Sequence, residues 1–110
     1  MSYSVYLTID TGNPNGQEMI CDFNHTSNCS TMFQEALGVS IRMLDGCLAE
    51  DLLGILKKAV EDISDPRRHD HYAVMNPKNG WGSVESAKAF LTEIYHACLM
   101  HPKCTVEVSC

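Results

Sequence analysis

The sequence predicts a two-layer α+β sandwich: a three-stranded, mainly antiparallel sheet with helices on one face. Three observations carry this expectation. Both ends of the chain alternate apolar and polar residues with period two, the pattern of half-buried strands. The middle carries apolar residues at helical spacing, most clearly between residues 46 and 64. The elements follow the order β-β-α-α-short α-α-β, with too few helices to cover both faces of a sheet. With 110 residues there is room for one domain, 1–110, built on one core.

In residues 3–10, Tyr3, Val5, Leu7 and Ile9 share one face and Ser4, Tyr6, Thr8 and Asp10 the other. This is the most apolar strand, so it is expected at the centre of the sheet. Thr11-Gly12-Asn13-Pro14-Asn15-Gly16 reads as turn chemistry, and Glu18 to Asn24 as a second strand joined through a longer connection. His25 to Cys29 is polar loop. Ser30 or Thr31 then caps a short helix through Met32, Phe33, Ala36 and Leu37, with Gly38 at the position after its end. Val39 to Leu44 is apolar, but its period favours neither helix nor strand.

The clearest helix runs from about Gly46 to Ser64. Leu48, Leu52, Ile55, Leu56, Ala59, Val60 and Ile63 form its apolar stripe, and Asp45 is placed to cap it. Asp65-Pro66 reads as a stop and restart, with a turn or two to about Tyr72. After the turn-rich segment 76–82, Ser83 caps a last helix whose inner side carries Ala87, Phe90, Leu91, Ile94, Tyr95, Ala97 and Cys98. Pro102 ends it, and Thr105 to Cys110 alternates as a closing strand.

Composition narrows the function classes. A hydrophobic share of 45% with 20% charged residues is that of a folded chain. The formal net charge of −6 opposes non-specific binding to phosphate backbones, and Lys57-Lys58 and Arg67-Arg68 are isolated pairs. The apolar stretches are too short to span a bilayer. No basic segment precedes an apolar run at the N-terminus, so a cytoplasmic setting is expected. There Cys21, Cys29, Cys47, Cys98, Cys104 and Cys110 stay reduced. For the same reason the sequons at Asn24 and Asn28 are taken as chance.

Three constellations could carry chemistry. The most distinctive is Asn76-Pro77-Lys78-Asn79-Gly80-Trp81-Gly82-Ser83, where two glycines flank the only tryptophan ahead of a helix start. Amides at that start, with Lys78 nearby, are suited to an anion, and Trp81 could stack on a base or a partner. Equally, Trp81 could plug the core while the glycines bend the backbone. The run fits neither the Walker pattern nor the dinucleotide fingerprint. Second, Cys98-x-x-His101-x-x-Cys104, with His69-Asp70-His71, offers zinc-type ligands but lacks a CxxC pair, and Cys98 sits on the apolar stripe. Third, Cys29 and His25 lie four residues apart in a polar loop, with no third group to orient them. The acid pairs Glu50-Asp51 and Glu61-Asp62 fall on a solvated helix face.

The run from Met75 to Ser109, with its Asn-Pro-x-Asn-Gly-Trp-Gly-Ser loop, resembles the C-terminal half of a family of small proteins found in phages, prophages and their bacterial hosts. Asn24–Gly38 and Leu44–Pro66 are similar to that family in layout, so the resemblance covers residues 24–109. It implies a small cytosolic domain in a phage setting, and no particular activity. The additional cysteines depart from the family's pattern.

The expectation is therefore a non-enzymatic binding protein, in the phage reading an accessory factor acting on a host protein, with no cofactor and no catalytic residue. A homodimer is compatible with a sheet that has two edges and an uncovered face. The alternatives are a small-ligand or nucleotide binder using Lys78, Asn79, Gly80, Trp81, Gly82 and Ser83, or a zinc protein using Cys98, His101 and Cys104.

Overall fold

The first two strands of the computed structural model, β1 (Ser2–Asn13) and β2 (Gly16–Thr26), form an antiparallel hairpin. The structure describes residues 2–13, 16–26, 30–75 and 83–109. Strand pairing continues to Asn13 opposite Gly16, so the connection is far shorter than the turn chemistry of 11–16 suggests. Leu7 lies opposite Cys21 and Thr8 opposite Met19, which leaves Ile20 as the extra residue of a β-bulge.

The closing strand β3 (Thr105–Ser109) pairs antiparallel with the other side of β1, giving the order β2-β1-β3. The most apolar strand is thus central, as expected, and the fold is the three-stranded α+β arrangement. Pairing with β3 involves only Ser4 to Thr8, so the hairpin runs on alone for about 17 Å. The molecule is correspondingly long, 48 × 27 × 18 Å.

The helical layer contains α1 (Ser30–Leu37), α2 (Ala49–Ser64), α3 (His69–Ala73) and α4 (Val84–Met100). α1 ends at Gly38, whose φ of 78° and amide bond to the Gln34 carbonyl (2.8 Å) form the expected glycine stop. The ambiguous stretch after it is a 3-10 turn, Ile41–Leu44. Ser40 caps it and Ile41 and Leu44 anchor it in the core. Asp65 accepts the Arg67 amide at 2.9 Å and starts a second 3-10 turn, Pro66–Arg68, ahead of α3.

The main departure from expectation is the start of α2. The helix begins at Ala49, not near Gly46, and Asp45 does not cap it. Residues 45–49 run instead along the outer edge of β3. Gly46 donates to Val106 (2.8 Å), Val106 to Cys47 (2.8 Å) and Ala49 to Cys104 (2.8 Å). Leu48 bridges to Thr105, Val108 donates to the Asp45 carboxylate, and the Glu50 amide reaches the Pro102 carbonyl. Carbonyls of the α4–β3 corner therefore satisfy amides that a side-chain cap would otherwise serve.

One core unites the layers. Tyr3, Val5, Leu7 and Val106 from the sheet meet Phe33, Leu56, Ala59, Leu91 and Ile94 from the helices. α2 contributes Ala49, Leu52, Leu56, Ala59 and Ile63, close to the predicted stripe. Ile9 was expected on the buried face but is 37% exposed, while Thr8 is buried. Ile9 lies just beyond the last residue of β1 paired with β3.

Candidate interaction surface

Those residues singled out in the sequence that the structure describes are not brought to one place. Lys78, Asn79, Gly80, Trp81 and Gly82 lie outside the described residues, as do Cys29 and Cys110. Ser83 is described and is the N-cap of α4. Its hydroxyl accepts the Ser86 amide (3.2 Å) and its own amide donates to Ser86 Oγ (2.9 Å), a reciprocal capping box. The Ser86 amide is thereby already engaged at this helix start.

His25 does not remain in a free polar loop. It lies next to the end of β2 with Nε2 3.0 Å from Ser86 Oγ, and its ring lies 5.3 Å from that of Phe33 and 5.2 Å from that of Phe90. Ser86 Oγ also lies 3.1 Å from the Ser83 carbonyl, so its hydroxyl serves the cap. The arrangement ties β2 to the start of α4 and has the character of a packed joint. The sequence contained no sign of this contact, because 61 residues separate its partners.

The cysteine–histidine group does not converge either. Cys98 and Cys104 are buried against the core and His101 is the C-cap of α4. Burial, then the nearby Cys104 and Cys21 sulfurs, pushes the Cys98 thiol up to about 11, and burial raises Cys104 as well. Protonated, buried thiols are poor zinc ligands and poor nucleophiles. His71 turns to Glu35 (3.0 Å), while His69 lines a cleft of about 430 Å³ between the end of α2 and the start of α4. Among the described residues no three His, Cys, Asp or Glu side chains are placed to hold a metal ion. The described cysteines, Cys21, Cys47, Cys98 and Cys104, are free thiols.

A polar corner locks α1 to the α2–α3 junction. Arg68 reaches Glu35 (3.2 Å) and Asp62 (3.3 Å), and the buried Tyr72 hydroxyl donates to Asp62. Burial, then the Asp62 carboxylate, drives the Tyr72 hydroxyl far above the usual phenol range. These groups serve one another and hold the corner together, although Arg68 Nε is buried without a hydrogen-bond partner among the described residues.

Of the exposed large apolar side chains among the described residues, Met43 and Val74 stand apart and the others lie towards one end. Met19 (54% exposed) and Ile20 (40%) lie beside Leu7 and Thr8, and Ile9 just beyond, at the root of the projecting hairpin. Leu48 is exposed where residues 45–49 meet Thr105, with β1 and β3 between it and Met19. α4 starts against His25 and reaches the level of Cys21 at Cys98, so exposed Leu99 and Met100 also lie towards this end. Such a group of large apolar side chains marks a contact surface more often than chance exposure does. Among the described residues no helix is long and apolar enough to cross a membrane.

The chain matches no protein-family model, no curated protein and no solved structure.

Proposed function

We propose that this chain is a small non-enzymatic interaction protein that contacts another protein through its projecting hairpin. The observation that carries the reading is the exposure of Met19 and Ile20 beside the last β1 residues paired with β3, and of Ile9 just beyond them where the hairpin starts to project. Apolar side chains held clear of a protein's own core lose water only when a partner covers them. The net charge of −6 favours a basic partner and opposes nucleic acid. The likeness of residues 24–109 to phage and prophage proteins supports an accessory factor acting on a host protein in the cytoplasm. Reduced thiols at Cys21, Cys47, Cys98 and Cys104 suit that compartment.

The test is quantitative affinity capture from a bacterial extract with three baits: the wild-type chain, Ile9→Glu/Ile20→Glu, and Val74→Glu. Val74 is exposed away from the hairpin, on the turn that ends α3. A specific partner should be lost from the hairpin variant and kept by Val74→Glu. Equal recovery on all three folded baits would end the hairpin reading.

A further inference from the structure

We infer that the face of the sheet opposite the helices takes an extended segment of a partner protein, carrying an arginine or lysine two residues from an apolar side chain. The inference rests on the interaction reading above and names the chemistry of the partner.

The topology leaves few places for a partner to dock. The outer edge of β3 is already bonded to residues 45–49, and the helices occupy the inner face of the sheet. On the opposite face the register sets three rows of side chains. Asn24, Ser4 and Ser109 form the first, Asp22, Tyr6 and Glu107 the second, and Met19, Thr8, Thr105 and Leu48 the third. Neighbouring strands stand about 4.8 Å apart, so Asp22 and Glu107 are about 10 Å apart with Tyr6 between them.

Asp51, Glu61, Asp70, Glu85 and Glu93, which also have no side-chain partner among the described residues, stand on the helices, whereas Asp22 and Glu107 stand on this sheet face. Glu35, Glu50, Asp62 and Asp65 each have an ion pair, and the Asp45 carboxylate holds the Val108 amide. Asp22 and Glu107 have neither a hydrogen-bond nor an ion-pair partner among the described residues, and none of the three rows contains a lysine or arginine. A cation lying over the Tyr6 ring would meet the ring's negative face, with a carboxylate acceptor on each side. One row away, Met19 and Leu48 present exposed apolar side chains. Alternate side chains of an extended segment point the same way about 7 Å apart, which matches the spacing of rows. One such segment can therefore set its cation on Tyr6 and its apolar side chain over Thr8 beside Met19.

A second copy of the chain fits this face poorly. It would bring its own Asp22 and Glu107 against the same pair, between two molecules each carrying −6. The occupant is a different, basic protein.

The test is a two-dimensional NMR titration of the 15N-labelled chain with the capped tetrapeptide acetyl-Leu-Thr-Arg-Thr-amide, and with its glutamate analogue acetyl-Leu-Thr-Glu-Thr-amide. The arginine peptide should shift the Tyr6, Asp22, Glu107 and Met19 amides at millimolar concentration, and the glutamate peptide should not. In Asp22→Asn/Glu107→Gln, binding should weaken roughly tenfold, and added salt should narrow that gap. Three results would overturn the assignment: no shifts on this face, equal affinity in the double variant, or concentration-dependent broadening of the face without peptide, which would give it to a second copy. Neither Ile9 nor Ile20 belongs to these rows, so the titration decides the face while the capture experiment decides the hairpin.

Discussion

The carboxylate of Asp45 accepts the Val108 amide at 2.8 Å, which closes the outer edge of β3. Around it the Gly46, Cys47 and Ala49 backbones complete the same edge, so β3 offers no row of open groups for another strand. Asp45→Ala should lower the unfolding free energy by about 1 kcal/mol, the usual net worth of such a bond. Asp45→Asn keeps the acceptor oxygen and should cost less. Urea denaturation of the three proteins checks this, and an alanine variant as stable as wild type would show the contact to be idle.

Tyr72 and Asp62 form a second decisive pair, because the ring is fully buried and its hydroxyl has Asp62 as its acceptor. Tyr72→Phe keeps the packing and leaves the carboxylate with Arg68. A loss of about 1–2 kcal/mol is expected, measured by the same unfolding curves. A neutral result would mean that solvent serves the hydroxyl equally well.

Two glycines should respond in opposite directions. Gly38 sits at φ 78°, where a side chain is strained although space is open, so Gly38→Ala should cost about 1 kcal/mol. Gly54 lies inside α2 with ordinary backbone angles and nothing within 4 Å of an added methyl. Gly54→Ala should stabilise by about 0.5–1 kcal/mol. Thermal melts of both variants give the comparison, and shifts of the same sign would contradict the backbone argument.

Alkaline pH should loosen the α4–β3 corner. The Cys98 thiol ionises near 9 in an unfolded chain but at about 11 in the folded one, chiefly because burial opposes the thiolate. The unfolded state therefore releases its proton first. The contribution is complete below pH 9 and fades as pH rises from 9 to 11, a loss of roughly 2–3 kcal/mol. Cys104 acts in the same direction. Urea midpoints between pH 8 and 11 should fall less steeply in Cys98→Ala than in wild type; parallel slopes would remove Cys98 as the cause.

Much of this fold was legible locally. Alternation in residues 3–7 and 105–108, the stripe of α2 and the buried side of α4 each follow from a period that geometry imposes. Gly38 and Ser83 marked helix boundaries because a left-handed stop and a hydroxyl cap act within a few residues. Local chemistry misled at residues 45–48. Asp45 has the right type and place for a cap, but β3, some 60 residues away, offered that segment better backbone partners. At Ile9, alternation correctly gave a face and wrongly gave burial, since burial depends on how far the helical layer extends.

The candidate surface was less legible. Met19, Tyr6, Asp22, Glu107 and Leu48 are scattered across the sequence, and only strand register makes rows of them. By itself, the sequence determined the types and order of the elements, the central place of β1 and the acidic, cysteine-bearing character of the chain. Those are properties of short periods and composition. The tertiary structure alone decided where the hairpin outruns its cover, which carboxylates are left without partners, and that Cys98, His101 and Cys104 point to no common centre. These depend on register and packing between distant segments, which no short window of sequence contains.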